Sequence, residues 1–196
     1  MTPTEAFARA REVLLRHRED LDAARAAFRW PELDEWNWAW DWFEVQARGN
    51  PAPALVLVSE AHGVTRRSFA ELAERSSRLG RWMVDHGVQR GDRILVMLGN
   101  VVPLWETVLA AIKIGAVVIP ATTQLTESDV DDRVERGRVR HMITDPEGAR
   151  KLRDPGRLAV RLCTGEAAGF TPFDHALSAP DALARVATRA DEPLLL

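Results

Sequence analysis

Ile94–Leu98 is an uninterrupted run of five apolar residues, and it constrains the fold more than any other part of the chain. A strand without polar alternation has both faces covered, as in a parallel sheet. Downstream, Pro103 sits in a first helical turn and opens a helix that Gly115 ends. Val117–Ile119 is a second buried strand, closed by Pro120. Thr126-x-x-Asp129 is a capping box for another helix, whose acids come first and arginines last, matching the helix dipole. His141–Thr144 reads as a third strand, Pro146–Arg153 as a short helix and Leu158–Cys163 as a fourth strand. The order β-α-β-α-β-α-β predicts an α/β fold containing part of a doubly wound parallel sheet flanked by helices, with right-handed crossovers. Residues 165–190 are poorly patterned. Glu192-Pro193 then leads into Leu194–Leu196, which reads as the beginning of a buried strand.

Upstream, residues 4–29 read as one helix or two short ones. Phe7, Leu14, Leu21 and Phe28 recur every seven residues and form one apolar stripe laid on the rest of the protein, before Pro31 stops it. Trp36, Trp38, Trp40 and Trp42 alternate. A strand with one aromatic face would do this. A helix continued by Ala39, Glu44, Gln46 and Ala47 to Gly49 is preferred, with Trp36, Trp40 and Phe43 on one side and Trp38, Trp42 and Val45 on another. Such rings could stack on bases or sugars, but burying large rings to anchor the arm is the simpler use. A loop over 49–53 precedes a β-hairpin, with strands at Ala54–Ser59 and Val64–Arg66 and a turn at Glu60–Gly63. Ser68-x-x-Glu71 is a second capping box, opening a helix that Gly87 ends.

The chemistry legible in the residues is sparse. The 196 residues carry 26 basic and 29 acidic side chains, interleaved, so no basic tract argues for nucleic acid. No apolar run reaches the roughly 18 residues of a membrane span; the longest, Val108–Pro120, is interrupted by Lys113 and Gly115. Cys163 is the sole cysteine, which fits a reducing, cytoplasmic setting, and it reads as a small buried hydrophobe. Neither G-x-x-x-x-G-K-S/T nor G-x-G-x-x-G nor G-x-S-x-G is present. His17, His62, His86, His141 and His175 form no metal-ligand pair at helical spacing. Glu127, Asp129, Asp131 and Asp132 suit the first turns of a helix better than a divalent cation. The polar cluster of most interest is Thr122-Thr123-Gln124, at the carboxyl end of a strand, the edge where ligands bind in open α/β sheets. No catalytic, cofactor-binding or metal residue is assigned.

Several of these segments together resemble the adenylate-forming superfamily, the acyl-CoA synthetases and their relatives. Ser68-Phe69-Ala70-Glu71-Leu72, with Arg78-Leu79 after it, is similar to the family's hairpin-to-helix segment. Gly87-Val88-Gln89-Arg90-Gly91-Asp92-Arg93-Ile94 is similar to its approach to the first sheet strand. Asn100-x-x-Pro103-x-Trp105-Glu106 and Ala110-x-x-Lys113-x-Gly115-Ala116-Val117 resemble the next helix and its exit. Trp36-Asn37-Trp38-Ala39-x-Asp41 and Pro120–Thr126 look more like the medium-chain and aromatic acyl-CoA synthetase branch. The resemblance runs over residues 28–196, and its weight lies in the collinear order.

That resemblance implies a two-step reaction. A carboxylate attacks ATP to give an acyl-adenylate and pyrophosphate, and the CoA thiol then displaces AMP. ATP, Mg²⁺ and CoA are implied for the complete enzyme, and none is expected to bind this chain tightly. In the family a Ser/Thr/Gly-rich phosphate loop follows a segment like Glu192–Leu196. The expectation is therefore an N-terminal helical arm over 1–50 and an incomplete N-terminal AMP-binding α/β domain over 51–196, stopping before that loop and inactive alone. The remainder of the synthetase or a complementary polypeptide is the expected partner, with self-association through the open end. The alternative is a stand-alone, non-catalytic module that binds a partner or an acyl ligand.

Overall fold

The computed structural model describes residues 1–60 and 63–196. Pro3–Arg16 (α1) and Leu21–Ala27 (α2) form the start of the arm. A π-helical turn at Ala39–Phe43 runs directly into Glu44–Ala47 (α3). Pro53–Ser59 (β1) and Gly63–Ser68 (β2) make an antiparallel hairpin, and the middle of the turn expected at Glu60–Gly63 lies outside the described residues. Phe69–Asp85 (α4) follows. Then Arg93–Met97 (β3), Val102–Ile114 (α5), Val117–Pro120 (β4), Glu127–Arg136 (α6), His141–Thr144 (β5), Pro146–Arg150 (α7) and Val160–Cys163 (β6) alternate as the sequence indicates. Thr171–Pro172 (β7) and Phe173–Ala176 (α8) fall in the stretch where the sequence carries no clear pattern.

The sheet is parallel throughout, in the order β4-β3-β5-β6-β7. Both faces are covered. Ile94 and Val96 pack with Leu79, Met83, Ala110 and Ile114 from α4 and α5. Leu95 and Met97 point the other way, onto Val130, Val134 and Leu152. This is the doubly wound arrangement, and the period-2 geometry of a strand explains it, because successive side chains alternate between faces. The chain moves outward from β3 to β4, then crosses back to β5, so the connections leaving β3 and β5 diverge. Leu194–Leu196 adds to the outer side of β4: the Val118 N–H donates to Leu194 O at 2.9 Å, the Leu196 N–H donates to Val118 O at 3.0 Å, and the pairing is parallel.

Local signals account for the element ends. Ser68 and Thr126 both complete reciprocal capping boxes. Gly115 ends α5 at φ +71°, and a Cβ there would also press on Thr188 and Arg90.

Two expectations need correction. The stripe on α1 and α2 is only partly covered: Leu14 is 43% and Leu21 64% exposed, Phe7 and Phe28 are half-buried, and only Ala6 of the two helices is buried. Four residues separate the helices, so the seven-residue repeat is not held in one straight line. The aromatic segment is helical from Trp38 onward, with Trp36 and Asn37 lying before the helix, and its faces differ from an α-helical assignment. The Glu44 N–H donates to Ala39 O, an i→i+5 bond. That wider turn stacks Trp38 on Phe43 at 6.0 Å, while Phe7 of α1 contacts both Trp36 and Trp42. Val45 is left exposed.

Candidate functional site

The carboxyl edge of the sheet, where the connections from β3 and β5 diverge, is the position at which such folds bind ligands. Four turns build it: 98–100 after β3, 121–124 after β4, 144–145 after β5 and 164–166 after β6. The edge is knitted internally. The Ala121 N–H donates to Val96 O and the Thr164 N–H to Thr144 O, both at 2.9 Å. The Thr144 hydroxyl donates to Met97 O at 3.0 Å. A Cβ at Gly148 would collide with that hydroxyl and with Met97 Cε, so α7 sits close against the strands only because position 148 is glycine. Asp145 caps α7 through the Gly148 N–H at 2.7 Å.

Thr122-Thr123-Gln124 is placed at this edge. Thr122 and Gln124 are exposed, and the Gln124 N–H donates to Thr122 Oγ1 at 3.3 Å. Lys151 Nζ donates to Thr123 O at 2.7 Å and pairs with Glu147 at 3.1 Å, which commits its charge. Asn100 accepts from the Trp105 indole at 3.2 Å. The edge therefore offers hydroxyl, amide and backbone groups for hydrogen bonding.

The other singled-out residues have structural surroundings. Cys163 is fully buried, and burial pushes its thiol up. Asp129 caps α6, while Asp131 pairs with Arg153 at 3.2 Å and Asp132 with Arg136 at 3.4 Å. Among the described residues no group of three His, Cys, Asp or Glu side chains comes together to hold a metal.

Two buried polar centres lie away from this edge. Lys113, 0% exposed, donates to Ala73 O, Ser76 Oγ and Ser77 Oγ at 2.8 Å each, and pairs with Glu44 at 2.5 Å. Its ammonium lies 5.3 Å from the Trp40 ring centroid. Burial pushes Lys113 down from its ordinary range, partly offset by the Glu44 carboxylate. A lysine interrupting an apolar helix was the visible sequence signal for this centre; its partners were not visible. At the amino ends of β3 and β5, Asp92 holds His141 Nε2 at 3.0 Å, Arg140 at 2.9 Å and the Gln89 N–H at 2.9 Å. Burial lowers His141, partly offset by Asp92. Burial raises the Asp92 carboxyl, but the hydrogen bonds from His141, Gln89 and Arg140 outweigh it and leave the group low. Both centres tie elements together at a distance from the edge where ligands would sit.

Residues 43–192 match the family model described as AMP-binding enzyme. The mitochondrial acyl-coenzyme A synthetase ACSM3 of Rattus norvegicus is 36% identical over 114 residues, covering 58% of this chain and 19% of the relative. The uncharacterized acyl–CoA ligase YtcI of Bacillus subtilis is 32% identical over 87 residues, covering 44% of this chain and 16% of the relative. The chain thus spans about a fifth of the length of the curated relatives it matches. The crystal structure of Brucella canis acyl-CoA synthetase superposes with a TM-score of 0.77 at 21% identity, over 89% of this chain and 35% of that one. At that identity the likeness is one of fold.

Proposed function

The chain belongs to the AMP-binding enzyme family, and from that premise we propose that it is the N-terminal portion of an ATP-dependent acyl-CoA synthetase. The reaction of the whole enzyme joins a carboxylic acid to CoA, converting ATP to AMP and pyrophosphate. In this reading residues 1–50 form a helical arm and residues 51–196 part of the AMP-binding domain. Its Trp36–Asp41 and Pro120–Thr126 motifs resemble the medium-chain and aromatic acyl-CoA synthetase branch, while the pocket that selects the acid is expected to lie mainly in the remainder of the enzyme.

The observation that carries the proposal is the course of Leu194–Leu196. This segment runs parallel to β4, so its carboxyl end is directed to the edge beside Thr122 and Thr123. A loop following it would arrive where doubly wound sheets hold phosphates. The cation nearest this edge, Lys151, is committed to Thr123 O and Glu147, which supports a scaffold reading. The contribution of this chain is scaffold, and the groups for ATP, Mg²⁺ and CoA belong to the remainder of the synthetase. Among the described residues no helix is long and apolar enough to cross a membrane.

Incubated with ATP, Mg²⁺ and a panel of medium-chain and aromatic acids, the purified chain releases no pyrophosphate above a blank. Clear turnover would overturn the scaffold reading. Leu194, Leu195 and Leu196 are 39%, 58% and 59% exposed, and exposed apolar strand edges promote association. The chain is accordingly expected to self-associate as concentration rises in light scattering. A strict, cooperatively unfolding monomer would favour the non-catalytic module instead.

A further inference from the structure

We infer that the tryptophan segment of the arm is the positioning element for Leu194–Leu196, the extended segment bridged to the outer side of β4. The segment 185–196 has little structure of its own, and its polar groups are met on two sides. On the arm side, the Trp36 N–H donates to Thr188 O at 3.0 Å and the Ala190 N–H donates to Asp34 O at 3.0 Å, around an antiparallel bridge between Glu35 and Arg189. The buried Thr188 hydroxyl donates to Trp36 O at 2.7 Å. Asp41, also buried, accepts from Arg185 at 2.6 Å and from the Asn37 N–H at 2.8 Å. On the sheet side stand the two bonds to Val118. Between the two sides, Glu192 pairs with Arg90 and accepts from the Arg189 N–H.

The arm is itself fixed to one corner of the sheet. Asn37 Nδ2 donates to Ile112 O at 2.7 Å, and the Trp40 indole donates to Lys113 O at 2.9 Å. Those carbonyls belong to the last turn of α5, immediately before Gly115, against which Thr188 packs. The same corner starts β4. Both β4 and the strand beside it are therefore measured out from one point, which fixes their relative register. A slip of one residue moves a strand by about 3.3 Å and turns each side chain to the opposite face. On the reading proposed above, on which this functional consequence rests, the arm sets where the phosphate loop would meet the sheet edge. Asp41 and Arg185 act as positioning residues, and neither touches the reacting atoms.

NMR-detected amide exchange on the whole chain tests this without ATP, so its outcome is independent of the pyrophosphate assay. Asp41→Asn weakens the charge-assisted bond to Arg185. The expected result is exchange about tenfold or more faster at the amides of Ala190, Val118 and Leu196, with the Ile143 amide in the centre of the sheet unchanged. Arg185→Gln, altering the more exposed partner, gives the same pattern in smaller degree and serves if Asp41→Asn fails to fold. Arg78→Gln, which removes a contact to Ala179 O outside the clamp, leaves all four amides as in the parent. Faster exchange at Ala190 with Val118 and Leu196 unchanged would overturn the inference, since Arg90 and the β4 edge would then hold the strand unaided. An equal rise at Ile143 would overturn it too, as a general loss of stability.

Discussion

Ile94, Leu95, Met142 and Ile143 at the centre of the sheet are wholly buried, whereas Leu14, Leu15 and Leu21 in the arm are 43%, 49% and 64% exposed. The sheet is held by apolar area on two faces, which is non-directional and tolerant. The arm is held by a smaller apolar cluster, in which Phe43 and Ala47 meet Leu72, Ala73 and Leu109, and by a set of directed contacts: Trp40 to Lys113 O, Asn37 to Ile112 O, Asp41 to Arg185, and Glu44 to the Lys113 ammonium. Directed contacts are individually modest when formed and costly when one partner is lost. The arm should therefore come away from the sheet through single polar substitutions that the sheet itself would survive.

The largest expected effect falls where the two regions share a charge. Lys113→Met leaves Glu44 beside Ser76 and Ser77 without its cation. It is expected to lower stability in urea denaturation by about 3–5 kcal/mol, the range for breaking a buried pair. Adding Glu44→Leu should recover much of that loss, because an apolar pair replaces a half-broken ionic one. A double variant as unstable as the single would show that the hydroxyl and carbonyl contacts of Lys113 carry the junction.

Next comes a difference in pH response, located in the sheet. His141 is lowered in the folded chain, so below its ordinary value of 6.5 the unfolded chain binds the proton more readily, and stability falls as pH drops through that window. Asp92 is held low, so its contribution is present above its ordinary value of 3.8 and is lost as pH falls through its folded value. Both signs agree: acid weakens the amino-terminal edge of the sheet. Urea midpoints from pH 7.5 to 5 should decline, and His141→Gln should flatten that decline. An unchanged slope in the variant would place the acid sensitivity elsewhere.

The smallest effect sharpens the contrast within one residue type. Leu21→Ala in α2 should change stability by no more than about 0.5 kcal/mol, as for ordinary surface sites. Ile143→Ala should cost about 2–5 kcal/mol. Similar losses for both would mean that α2 is covered in solution by something that protects Leu21.

Four of the five strands, β3 to β6, were readable because each carries its own evidence. Ile94–Leu98 announces burial on two faces by lacking polar alternation, and Ser68, Thr126 and Gly115 mark helix ends by their own chemistry. The two-residue β7 is too short to show any period. The π-turn at Ala39–Phe43 rewinds a pattern that α-helical spacing sorts differently. The stripe from Phe7 to Phe28 had the right period, yet period alone does not say whether a surface arrives to cover it. The candidate edge could be located from Pro120–Gln124 by the rule for strand ends. The clamp of Asp41 on Arg185 and of Trp36 on Thr188 left no local trace, because each partner has an ordinary sequence neighbourhood and the pairing exists only after folding.

The hydrogen bond between Thr188 and Trp36 spans 152 positions, and this has a consequence for synthesis. At about 5–20 residues per second, a ribosome needs roughly 8–30 s to produce Thr188 after Trp36. Through that interval the arm has emerged without the strap that completes its polar contacts. Loop closure over such a length is entropically late. The tryptophans at 36, 38, 40 and 42 therefore form a greasy segment that the nascent chain must carry uncovered on its polar side, which makes it a natural landing place for a holding chaperone until residues 185–196 emerge.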